Sequence, residues 1–199
     1  MQSFIKTTIL LAGISLWGCG ESLDIETPSG ALHLLRNAVV AGDMAKTLQL
    51  TSSQTRSDLD TAVQLISAQH KAIQDLYPPA YKMGANGVYP RAVFEAKTAA
   101  DLFSAFVADR LNKLPKNKGL VFGLSASSSP VIMGKQATVP TNSGESIGFA
   151  LENTEWKTTV FEALVRDNLE RVRANSLILK DNLETLKKLK QPAAAPATP

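Results

Sequence analysis

The chain has 199 residues, with 21 Lys and Arg against 18 Asp and Glu and a formal net charge of +3. So small an excess excludes the dense basic surface of a nucleic-acid binder and leaves only mild attraction to anionic surfaces. A single cysteine, Cys19, excludes an internal disulfide and a multi-thiolate metal centre.

The amino end has the layout of a signal peptide. Lys6 and the terminal amine form its charged region, and Thr7 to Trp17 form a nearly uncharged apolar core. At ~1.5 Å per residue this core reaches only about half of a ~30 Å hydrocarbon layer, so a removable segment fits better than a permanent span. It runs into Leu16-Trp17-Gly18-Cys19. With Leu16 three positions before the cysteine and Gly18 immediately before it, this run resembles the signal of bacterial lipoproteins. Trp17 departs from that pattern, which has a small residue there. The resemblance implies cleavage after Gly18, a diacylglycerol thioether on the Cys19 sulfur and acylation of the freed amine. One acyl chain holds only marginally, whereas two or three anchor stably. A plain secretory signal with a cysteine near its cut is the alternative. Gly20 stands where an aspartate retains enteric lipoproteins in the inner membrane, so the resemblance implies an outer-membrane protein of the bacterial cell envelope, facing the periplasm.

After residues 1–18 comes a stretch of about 180 residues, enough for one domain with a real core. Residues 19–30 read as the lipidated cysteine and a tether, because Ser22, Asp24, Glu26, Thr27, Pro28 and Ser29 leave little that is apolar. Residues 31–161 read as an α+β domain. The spacing of Leu32, Leu35 and Val39 predicts an amphipathic helix from Pro28 to near Gly42. Asp43 caps a short second helix carrying Met44, Leu48 and Leu50. Ser57-Asp58 opens a third with Leu59, Val63, Ile66, Ile73 and Leu76, stopped by Tyr77-Pro78-Pro79. Tyr81 to Arg91 reads as a loop, and Ala92 to Leu114 as one more helix. The period then shifts towards two over Leu120–Leu124, Ala137–Pro140, Ser146–Leu151 and Glu155–Phe161, and hairpin-sized links make the last three consecutive antiparallel neighbours. Helices followed by strands define α+β: amino-terminal helices on a curved antiparallel sheet, then a long carboxyl-terminal helix.

The order of an early helix ending in Ala41-Gly42-Asp43, further helices, then Gly134-Lys135-Gln136-Ala137-Thr138-Val139, Ser143-Gly144-Glu145-Ser146-Ile147-Gly148-Phe149-Ala150-Leu151-Glu152 and Trp156-Lys157, is similar to the nuclear transport factor two-like superfamily. That resemblance implies a curved sheet wrapping helices into a cone. It leaves function open between small-molecule isomerases or dehydratases and non-catalytic binding modules. An enzyme of this kind implies a carboxylate base and a tyrosine in the cone mouth. By residue type the candidates are Asp101, Asp109, Glu145 and Glu152 with Tyr77, Tyr81 and Tyr89, none in a recognisable motif.

Two histidines, His33 and His70, lack the spacing of a zinc site. Ser125 to Pro130 lacks the glycines of a nucleophile elbow, and Gly84-Ala85-Asn86-Gly87 lacks the lysine of a phosphate loop. The sequence therefore calls for no cofactor, no metal and no catalytic residue, and Cys19 is its one site, for lipidation. Glu162 to Lys190 reads as a helix of ~44 Å without Gly or Pro. Val165, Val172, Leu179 and Leu186, with Leu169, Ser176 and Leu183, form a heptad stripe. Folding back over the domain accounts for the stripe and for Leu164, Leu177, Ile178 and Leu189 beside it; self-association, or a protein partner, is the alternative. Residues 191–199 are Pro/Ala-rich and read as a disordered tail. The expectation is a lipid-anchored envelope protein with a non-enzymatic binding or assembly role.

Overall fold

The computed structural model describes residues 24–112 and 123–190. The signal, Cys19, the first three residues of the strand expected over Leu120–Leu124, the side chain of Asp109 and the tail all lie outside the described residues.

Chain-local signals start the first two helices. Thr27 caps α1 (Pro28–Ala41), its hydroxyl accepting from the Gly30 amide at 3.1 Å. Gly42 closes it at φ 70°, the left-handed conformation that lets its N–H return to the carbonyls of Ala38 and Val39. The Asp43 carboxylate then accepts from the Lys46 amide at 2.9 Å and opens α2 (Met44–Gln49). Pro28 and Gly30, assigned to the tether from sequence, are buried in α1, and the Ile25 carbonyl accepts from the Trp156 amide at 2.9 Å. The chain is thus fixed to the domain before residue 30.

α3 (Ser53–Leu76) begins four residues earlier than Ser57. Ser52 supplies one cap, and Glu152, distant in sequence, supplies another by accepting from the Ser53 amide at 2.7 Å. Its end at Tyr77 agrees with the two prolines that follow. The loop expected from Tyr81 is instead largely α4 (Pro79–Asn86), because Pro79 presets the first turn and outweighs the cost of Gly84. The single helix expected over Ala92–Leu114 is divided into α5 (Arg91–Phe94) and α6 (Ala99–Asn112). The break is a reciprocal cap: the Asp101 amide donates to Thr98 Oγ1 at 3.1 Å, and the Thr98 amide donates to Asp101 Oδ2 at 3.0 Å.

β1 (Val131–Met133), β2 (Gln136–Pro140), β3 (Ser146–Glu152) and β4 (Glu155–Thr158) form an antiparallel sheet in chain order. The expected neighbours pair as anticipated, with Ala137 opposite Phe149 and Leu151 opposite Trp156. Three details differ. β1 was not expected, Gly123 and Leu124 lie in a helical end and a turn, and β4 stops at Thr158 so that Thr159 to Phe161 can turn into the next helix. Ala137, Val139, Ile147, Phe149 and Trp156 are buried on one face, against which α1 packs across β2 and β4.

α7 (Glu162–Lys190) has the expected limits and lies along α3, with α6 against both. Val165, Leu169, Val172 and Leu179 are buried, so these positions of the heptad stripe are spent inside the domain, while Ser176, Leu183 and Leu186 are partly covered. Leu177 and Ile178, which folding back was expected to cover, are 66% and 53% exposed. Phe161, at the start of α7, meets Phe103 of α6 edge to face at 5.1 Å. The architecture is α+β: helices on an antiparallel sheet, ending in a long carboxyl-terminal helix.

Candidate functional site: the groove between α4 and α7

Among the described residues, the candidate carboxylates and phenols are not brought together. Glu152 is held at the amino end of α3 by Ser53 and by Arg56, whose Nη2 is 3.4 Å from Oε2. Asp101 is occupied at its own helix start, and hydrogen bonds from Thr98 and the Lys97 amide hold its carboxyl below the usual range. Glu145 is exposed in the β2–β3 turn. Tyr77 stands at the other end of α3, 24 residues or ~36 Å from Ser53. Its hydroxyl donates to the Leu179 carbonyl at 2.6 Å, and burial raises its pKa. Tyr89 donates to Gln69 Oε1 at 2.7 Å and is also raised by burial. Both phenols, Tyr77 buried and Tyr89 half-buried, therefore serve the seam with α7.

Tyr77 and Tyr81 do share one feature. A groove of about 420 Å³ runs between α4 and the distal half of α7, floored by Tyr77, Ala85, Leu179 and Leu186 and flanked by Tyr81 and Val88. Asn182 and Thr185 add polar groups along one wall. Two of its apolar lining side chains are open to solvent, Tyr81 at 54% and Val88 at 37%. Ile73, Tyr77 and Leu179 form a small apolar cluster beneath, separate from the main core, with Leu183 and Leu186 only partly covered. A mostly apolar cleft of this size with a few polar handles, rimmed by exposed apolar surface, is suited to an apolar ligand or a helical or extended segment.

Two other clefts are more polar. One of about 790 Å³ lies between α3 and α5, where the His70 ring meets Phe94 at 4.5 Å with the planes tilted by 49°, beside Ser67, Glu95 and Lys97. Another, of about 480 Å³, lies where α2 and α3 meet the β3–β4 turn and is filled with paired charges, Arg56 with Glu152 and Lys157 with Glu155. His33, on α1, lies 2.7 Å from the Arg36 guanidinium through Nδ1. Among the described residues, no group of three or more His, Cys, Asp or Glu side chains could hold a metal ion, and no helix is long and apolar enough to cross a membrane. The groove went unrecognised in the sequence because α4, its outer wall, reads there as a loop.

No protein-family model matches the chain, and neither a curated protein nor a solved structure does so.

Proposed function

We propose that this is a lipid-anchored protein of the bacterial cell envelope, held through Cys19 at the periplasmic face of the outer membrane, with a non-enzymatic binding or assembly role carried by the α4–α7 groove. The carrying observation is the position of that groove. The incoming chain meets the sheet at Ile25, beside the amino end of α3, since Trp156 binds Ile25 and Thr158, two residues on, accepts from the Ser52 amide. The groove lies at the other end of α3, ~36 Å away, which would turn it from the bilayer towards a partner. The nuclear transport factor two-like reading rests on the residue pattern that falls at the end of α1 and on β2 to β4. An isomerase or dehydratase reading has less support, because Glu152 and Tyr77 sit at opposite ends of α3 and each has a structural partner.

The Cys19→Ser variant is expected to lose incorporation of labelled palmitate and to leave the membrane fraction; unchanged labelling would refute the anchor. Native mass spectrometry of the detergent-released protein reads the groove. A defined extra mass or bound partner that Tyr81→Asp removes locates the occupant there, and an occupant indifferent to Tyr81→Asp places the binding role elsewhere.

A further inference from the structure

The two edges of the sheet are treated differently. β4 is covered: the Leu50 carbonyl accepts from the Thr158 amide at 2.8 Å, and Ile25 binds Trp156. β1 carries large apolar side chains that no element of the described residues covers, with Val131, Ile132 and Met133 exposed by 57%, 55% and 77%. They point to both faces, Val131 and Met133 with Thr138 and Gln136, Ile132 with Ala137. Gly134, at φ 62°, turns the chain tightly, and exposed Lys135 follows. The result is an apolar hairpin tip with a cation at its end.

Its location is fixed by the ladder. The Lys135 carbonyl accepts from the Leu151 amide at 2.8 Å, Leu151 pairs with Trp156, and Trp156 binds Ile25. The tip and the incoming chain are therefore at the same end of the sheet, separated by roughly 15–20 Å of strand spacings. From Cys19 to Asp24 the chain can span ~18 Å at most.

We propose that the β1–β2 tip, Val131 to Lys135, enters the headgroup region of the membrane that holds the acylated Cys19, giving the domain a second lipid contact. This rests on the anchored reading above. Apolar side chains that sink below the headgroups beside a lysine that reaches their phosphates are the chemistry of an interfacial insertion. The short tether keeps this tip within reach of lipid. A strand from a second copy is the competing occupant, and three residues give it few ladder bonds.

The test uses the full-length protein in vesicles. Acylated Cys19 is a thioether and does not react with thiol dyes, so in a Met133→Cys variant the new thiol takes the probe alone. Lipids with nitroxides on the acyl chain are expected to quench this probe about twofold or more, as a 5–10 Å insertion requires, and to spare a Met83→Cys probe on α4. An unquenched Met133→Cys probe, with Cys19 unreactive, overturns the insertion and leaves the anchor standing. Contact between probes of two copies, without lipid quenching, assigns the edge to self-pairing and also overturns it. Dye reacting with Cys19 of the unaltered protein shows a free thiol and overturns both readings.

Discussion

Gln69 shows how one buried amide joins two helices. Its nitrogen donates to the Val172 carbonyl at 2.9 Å and to Ser176 Oγ, while its oxygen accepts from Tyr89. Ser176 reads from sequence as a weak layer in an apolar stripe. Its partner lies 107 residues away, a pairing that no local pattern reveals. Tyr77 closes the same seam further along, donating to Leu179. Burial raises the pKa of both phenols, so folding favours their neutral forms. That contribution is fully present below the unfolded phenol pKa of about 10 and is lost as pH rises through the folded values. Tyr77→Phe is expected to cost about 1 kcal/mol at pH 7, from the lost hydrogen bond. It should also flatten the alkaline fall in stability. Urea midpoints taken across the alkaline limb check this, and an unchanged slope would exclude Tyr77 as a source of it.

Among the elements, those with their signals next to them were legible: Asp43 before α2, the prolines after α3, the turn formers between β2, β3 and β4, and the unbroken run of α7. The failures have two physical causes. Thr98 and Asp101 form a cap inside what reads as one apolar-periodic run, and period alone does not register a cap. The start of α3 depends on Glu152, brought to Ser53 only by the folded sheet. This gives Glu152 a structural task that separates two substitutions. Glu152→Ala removes the acceptor for Ser53 and is expected to cost about 1 kcal/mol, whereas Glu152→Gln keeps an acceptor oxygen and should cost less. Chemical denaturation of both variants decides the matter. Equal losses would mean that the ion pair with Arg56, not the cap, carries the effect.

For the molecule as a whole, the fate of the heptad stripe matters most. Val165, Leu169, Val172 and Leu179 are covered by the protein's own helices, so a coiled coil through these positions would require α7 to lift away from α3. Val172→Asp places a charge at a fully buried position and is expected to unfold the domain, at a cost of about 3 kcal/mol or more, rather than release a dimer into folded monomers. Melting followed by circular dichroism and sedimentation of the variant distinguishes the two; a folded variant of halved mass would show that the stripe is an interface between copies. The stripe was readable in the sequence, which left its two uses, folding back and self-association, both open. The α4–α7 groove was not, because it needs both the unexpected α4 and the distal turns of α7 beside it.

The hydrogen bond between Ile25 and Trp156 also decides how the domain would bear load. A tether that met the protein at α1 alone would pass tension straight into the core. Here the chain is bound to the outer edge of β4 first, by the Ile25 carbonyl, and only then turns through Thr27 into α1. A pull on the residues ahead of Ile25 would load this edge contact, and the Ile25 side chain packed against the core, before it strained α1. The first give would come where the chain joins the sheet, with the groove at the far end of α3 left undisturbed.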